Sequence, residues 1–178
     1  MWRTVFNLVI LAAFALPLGA CGLAQTVADG TASTARAIFY KQVKTLHLDF
    51  SARSALNTHA SDMSALSVPT LIRVYQLRDN QAMARATYDG LLGDDDGLLT
   101  GALLDKRSLV VKPEEGAQLN VPMDKEAKFV SVVALFRSPD TGLNTWRLTL
   151  MRDDLDPDRA RVVELGDNRL SLRPLEKD

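Results

Sequence analysis

Cys21 is the only cysteine in 178 residues, so the chain can form no internal disulfide. An apolar core must hold the fold together, and an apolar content of 47% makes that feasible. The position of the cysteine is equally informative. It follows Leu16-Pro17-Leu18-Gly19-Ala20, which closes an apolar run from Val5 to Leu18 behind the positive charge of Arg3. A positive residue, a short apolar run, small residues and then cysteine are the arrangement of a bacterial lipoprotein signal. In that chemistry the Cys21 thiol takes a diacylglyceryl group, the chain is cut between Ala20 and Cys21, and the freed amine is acylated. The apolar run is too short to cross a bilayer as a helix, which takes about 20 residues for about 30 Å.

Residues 1–20 are therefore expected to be a signal peptide, 21–44 the lipidated N-terminus and tether, and 45–178 the folded domain. One acyl chain binds membranes only marginally, and stable anchoring takes a second. The several chains expected on Cys21, palmitate among them, would make attachment durable. Gly22, where an aspartate would favour retention at the inner membrane, points to the inner leaflet of the outer membrane, facing the periplasm. With Arg3 removed, 20 basic residues stand against 22 acidic ones, so the mature chain is slightly acidic. That balance offers no basic footprint for nucleic acid and no polybasic patch for anionic lipid.

Gly22 to Ser33 is small, polar and aperiodic, the composition of a flexible tether. Fully extended, such a segment reaches at most about 40 Å. Thr34 to Lys44 fits either a helix or a strand. From Thr45 the period becomes two: Leu46-His47-Leu48-Asp49-Phe50 alternates as a half-buried strand does. Thr70–Leu77 reads as a second strand. Asp79 is placed to cap a helix running through Leu92, with a second short helix from Gly97 to Leu104 capped by Asp94-Asp95-Asp96. Further strands are expected at Ser108–Lys112, Gln118–Val121, Phe129–Phe136, Trp146–Leu150, Arg161–Leu165 and Arg169–Arg173, the last two joined through Gly166-Asp167-Asn168. Phe129–Phe136 is nearly continuous apolar sequence, as a strand buried on both faces would be. The fold class is mainly β: a two-sheet sandwich with a short helical insertion at about 79–104.

Residues for catalysis are scarce. His47 falls on the outward face of its strand, His59 lies in a loop, no serine sits in a Gly-x-Ser-x-Gly context, and the one thiol is acylated. No catalytic residue, no metal site, no small-molecule substrate and no cofactor beyond the covalent lipid on Cys21 are expected. Asp94-Asp95-Asp96-Gly97 lacks the alternating acidic spacing of a calcium loop and reads as a solvated helix cap. Asp153, Asp154, Asp156 and Asp158 around Pro157 read as a polar turn. Arg78, Arg85, Arg137, Arg147 and Arg152 need be no more than surface charges.

The long segment Ala55–Val68 has almost no periodicity, and loops of this length are uncommon and often functional. Two readings stand for its apolar Met63 and Leu66. Either they tuck under the sandwich, or they contact a partner, with Asn57, Thr58 and Asp62 as the polar rim.

The order of these pieces resembles the outer-membrane lipoproteins of type VI secretion systems, the TssJ type also called SciN or VasD. The pieces are the signal ending in Cys21, the Leu46–Ala52 strand, and Pro69-Thr70-Leu71-Ile72-Arg73-Val74-Tyr75-Gln76-Leu77. The insertion with Tyr88 and Leu91-Leu92, Val110-Val111-Lys112-Pro113, Phe129 to Asp140, and Asn144-Thr145-Trp146-Arg147 follow in order. The resemblance implies a transthyretin-like sandwich. It further implies a structural, non-enzymatic role binding the periplasmic domain of a large TssM/IcmF-like inner-membrane protein through the loop between the first two strands, here Ala55–Val68. One departure is local: Pro113 is followed by Glu114-Glu115-Gly116, where the family pattern implies a tight Pro-Gly turn. The alternative on the residues alone is a periplasmic lipoprotein that holds a small or lipidic ligand between its sheets.

Overall fold

The computed structural model describes residues 43–58 and 66–175. Cys21, the tether, His59, Asp62 and Met63 lie outside them. Eight strands form two four-stranded sheets: β1 (Thr45–Ala52), β2 (Thr70–Leu77), β3 (Leu103–Val111), β4 (Gly116–Pro122), β5 (Phe129–Leu135), β6 (Arg147–Met151), β7 (Arg161–Gly166) and β8 (Arg169–Leu172). The first sheet has the order β4-β1-β7-β8 and the second β3-β2-β5-β6. All neighbours are antiparallel except β1 and β7, which run parallel. The two-sheet sandwich expected from the sequence is the fold the chain adopts.

Alternation decides which face of β1 is covered. Leu46, Leu48 and Phe50 are buried in the core with Ile72, Val74, Val132, Val163 and Leu165. On the opposite face His47 Nδ1 and Asn120 Oδ1 of the paired β4 residue lie 2.6 Å apart. β5 is buried at five successive positions, Val130 to Ala134. One of its faces looks into the sandwich, and the other lies under the helical insertion. That two-sided burial is why its sequence is continuous apolar rather than alternating.

The insertion is built differently from the expectation. α1 spans Gln81–Arg85 and α2 spans Tyr88–Leu98. Ala86 is extended, and Thr87 starts a new helix by accepting the Gly90 N–H on its hydroxyl at 3.2 Å, the role of an N-cap. A kink at Asp94 follows, where the Asp94 carboxylate accepts the Gly97 N–H at 2.9 Å. α2 ends at Leu98, so the helix expected from Gly97 to Leu104 does not form. The chain instead turns through Gly101, whose φ of 86° suits glycine, and Leu103 already pairs with Leu77 at the start of β3. The β2 edge requires backbone partners along its length, and that pairing overrides the helical stripe of Leu98, Leu99, Ala102 and Leu103.

Two turns follow their chemistry. Asp167 and Asn168 both take positive φ, 50° and 57°, between the paired Gly166 and Arg169, a two-residue hairpin of the mirror-image type. After β3, Pro113 and Glu114 occupy the centre of a turn closed by Glu115 N–H to Lys112 C=O at 3.2 Å. Glu114 has φ 61° there, at the position where a glycine is ordinarily found.

Candidate functional site

The segment between β1 and β2 crosses from the first sheet to the second, and its base is zipped shut. Leu56 is fully buried. Val68 N–H donates to Leu56 C=O at 3.2 Å, and the Ser67 hydroxyl donates to Ser54 C=O. Arg53 N–H donates to Leu165 C=O and Asp167 N–H to Ala55 C=O, each at 2.8 Å, which ties the same base to β7 and the β7–β8 turn. The segment thus leaves the sandwich from a fixed platform.

Asn57 is part of that platform. It is 3% exposed and left-handed, φ 52°, a conformation asparagine tolerates better than most residues. Its Oδ1 accepts the Arg137 N–H at 2.6 Å, and its Nδ2 donates to Pro69 C=O at 3.3 Å. The side chain therefore shapes the loop from inside and does not face a partner as a rim residue. Thr58 is half-buried, and its carbonyl accepts the Asn168 Nδ2 at 2.8 Å. Leu66 is 62% exposed, so it does not tuck under the sandwich. Asp62 and Met63 fall outside the described residues. Arg137 and Asn168 draw the β5–β6 segment and the β7–β8 turn against the loop. Sequence reasoning missed both, because one acts through its backbone and the other was read only as a turn residue.

A second set of polar residues holds the insertion. Asp95, 8% exposed, receives the Tyr75 hydroxyl at 2.7 Å, Arg73 Nη1 at 3.2 Å and Lys106 Nζ at 3.3 Å. Burial pushes its pKa up, but the hydrogen bonds from Tyr75 and Lys106 and the charges of Arg73 and Lys106 outweigh this and hold it below the ordinary value of 3.8. Burial, then the Asp95 carboxylate, raises the Tyr75 pKa, so the phenol stays a donor. The expectation of a fully solvated acidic cap is thus corrected. Asp94 caps locally and Asp96 pairs with Lys106 at 2.7 Å, but Asp95 is an internal anchor.

Two arginines expected to be surface charges also hold structure. Arg147 forks onto the carbonyls of Met83, Ala84 and Ala86 at the end of α1, and its guanidinium lies 5.0 Å from the ring centre of buried Trp146. Arg152 donates to the carbonyls of Asp124, Lys125 and Ala127, and through Nη2 to Val43 C=O at 2.7 Å. With Met123 N–H donating to Lys44 C=O at 2.9 Å, this fastens the backbone just ahead of β1. The second acidic cluster is a turn, as expected: Asp156 Oδ1 accepts the N–H groups of Asp158 and Arg159. Among the described residues no group of three or more His, Cys, Asp or Glu side chains is placed to hold a metal. No described helix is long and apolar enough to cross a membrane.

Comparison with known proteins gives this geometry its context. A chain of the solved structure described as "T6SS protein TssM C-terminal domain (869-1107) from EAEC" is 38% identical, with a TM-score of 0.67, covering 75% of this chain and 100% of that one. A chain of the "Type VI membrane complex" is 39% identical with a TM-score of 0.70, at the same coverage of 75% and 100%. The Serratia marcescens Lip, described as "a membrane bound component of the Type VI Secretion System", shares the fold at 23% identity and a TM-score of 0.65, over 75% of this chain and 100% of that one. Comparison with the curated proteins finds no match. The family model described as "Type VI secretion lipoprotein, VasD, EvfM, TssJ, VC_A0113" matches residues 44–168. That span runs from the backbone ahead of β1 to the β7–β8 turn, and it places the chain in the type VI secretion lipoprotein family, a family of structural components and not of enzymes.

Proposed function

We propose that this chain is the lipid-anchored subunit that tethers the periplasmic domain of a TssM/IcmF-like inner-membrane protein to the outer membrane. The observation that carries the reading is the 38% identity, over 75% of the chain, to a chain of the structure described as the TssM C-terminal domain. The architecture suits the role. Acyl chains on Cys21 would sit in the inner leaflet of the outer membrane, and residues 22–33 would span to the domain. Arg152 and Met123 grip the backbone at Val43 and Lys44, and β1 leads from there into the loop that would bind the partner. Anchor and partner are thus joined along one strand held on both sides by β4 and β7. Between the sheets, Phe50, Leu46, Leu48, Ile72 and Trp146 are buried side chains of a filled core. That packing supports an adaptor over a ligand carrier.

Cys21→Ser tests the anchoring. The variant is expected to fold, to take up no labelled palmitate, and to leave the outer-membrane fraction with loss of secretion. A variant that stays with the outer membrane and sustains secretion overturns the reading.

A further inference from the structure

The outer edges of the two sheets are not alike. β4 presents exposed Gln118 and Asn120 and ends at Pro122, while β6 and β8 have only five and four residues. β3 has nine residues and is the longest strand described. It pairs with β2 on one side, and β4, which follows it, belongs to the other sheet. Among the described residues no strand lies along its outer side. Unpaired N–H and C=O groups invite another strand, so unused edges are ordinarily blunted by charge, proline or a bulge. On β3 those devices all fall in the first half. Asp105, Lys106 and Arg107 carry charge there, and the pairing with β2 slips between Gln76 and Leu77. The second half, Ser108-Leu109-Val110-Val111, has none of them.

An apolar row leads to that half. Leu71 stands opposite Val110 on one side and Leu135 on the other, so three apolar side chains lie abreast on the outer face of the second sheet. Val110, at the edge, is 57% exposed and Leu71 36%. Next along the same face, Arg73 and Tyr75 are tied to the insertion through Leu91 C=O and the Asp95 carboxylate. The exposed row thus lies at the end of the sheet where the β1–β2 loop delivers the chain to Thr70, the pairing partner of Val111. A strand added to β3 would pair the edge backbone and set an apolar side chain beside Val110, meeting both needs at once. The charges specify the occupant. Arg107 and Lys112 bracket the uncharged stretch. A second copy paired antiparallel along the whole of Ser108–Val111 would set Arg107 opposite Lys112 twice, which is repulsive. A segment apolar at its centre and acidic at its flanks is matched.

We infer that Ser108–Val111 accepts a strand from the periplasmic partner, an extended segment with an apolar centre and acidic flanks. The inference rests on the partner-binding reading and extends that interface from the β1–β2 loop across β2 to the β3 edge. The test titrates the full-length lipidated chain, in detergent micelles, with the partner's periplasmic domain. Val110→Glu is expected to weaken binding by roughly tenfold or more, with an unchanged melting temperature, since the side chain is exposed. Lys112→Glu, also exposed, is expected to weaken it as well. Gln118→Glu, exposed on β4 of the first sheet, is expected to bind as wild type does. Amide hydrogen exchange separates strand addition from a simple apolar cover. In the complex, alternate amides of Ser108–Val111 should slow, namely those whose N–H groups point away from β2. Three results overturn the strand site and leave the tethering reading standing: wild-type affinity in Val110→Glu, unchanged exchange along β3 in the complex, or slowing that appears in this chain alone as its concentration rises. A wild-type chain that does not bind the domain overturns both.

Discussion

The Tyr75 phenol donates a 2.7 Å hydrogen bond to the Asp95 carboxylate and so joins the middle of β2 to α2 inside the molecule. Arg73 and Lys106 reach the same carboxylate from β2 and β3, at 3.2 and 3.3 Å. Removing the shared acceptor leaves the buried Tyr75 hydroxyl without its partner and Arg73 without this counter-charge, while Lys106 keeps Asp96. Asp95→Ala should cost about 2–4 kcal/mol, near the lower end of buried-pair losses because Arg73 and Lys106 keep some water. Tyr75→Phe, which deletes one donor, should cost about 1–2 kcal/mol. Urea denaturation of the two variants reads both, and an Asp95→Ala loss below that of Tyr75→Phe would contradict the anchor role.

The same carboxylate sets a pH signature. Its folded pKa lies below 3.8, so its contribution to stability is complete above that value and fades as pH falls through the lower, folded pKa. Asp95→Asn should therefore be less stable than wild type at neutral pH, and the gap should close in acid, below about pH 4. Urea midpoints at a series of pH values measure the gap, and a gap that stays constant into acid would exclude the mechanism.

Arg147 is expected to matter through geometry and not through charge alone. Its planar fork reaches three carbonyls at the end of α1 while covering Trp146, and an ammonium cannot reproduce that fork. Arg147→Lys should lose about 1–2 kcal/mol, with Arg147→Ala losing somewhat more. Amide exchange over Gln81–Ala86 should quicken in both variants. Protection equal to wild type in the lysine variant would show that charge alone suffices.

Glu114→Gly should stabilise the chain. Glu114 holds φ 61° in the β3–β4 turn, where a side chain is strained and glycine is not. The gain, offset partly by the greater freedom of the unfolded chain, should be a few tenths to about 1 kcal/mol. A rise in melting temperature is the readout, and a fall would mean that the Lys112–Glu115 turn depends on Glu114 in some further way.

Asn57 should act on binding through the loop's shape. Asn57→Ala strands the Arg137 N–H and strains the backbone, which should cost about 2–3 kcal/mol. Partner affinity should fall with it. A compensating gain in stability elsewhere should restore stability but not affinity, because the Arg137 contact is still missing. Full affinity in a stable Asn57→Ala chain would separate this residue from the interface.

Most of the sandwich was legible in the residues alone. The alternation in Thr45–Ala52, the continuous apolar run of β5 and the Gly166-Asp167-Asn168 turn are local patterns, because each strand's burial is written in its own residues. The helical insertion was less legible. Thr87 breaks the expected helix through its own hydroxyl, and Leu103 joins a strand because Leu77 needs a pairing partner. Asp95 is buried because Tyr75, Arg73 and Lys106 come to it from other elements of the fold. The candidate site divides in the same way. The loop between β1 and β2 could be found from its lack of periodicity. The inward-facing Asn57 depends on the Arg137 N–H, 80 residues further along the chain, and the two meet only when the sheets have packed.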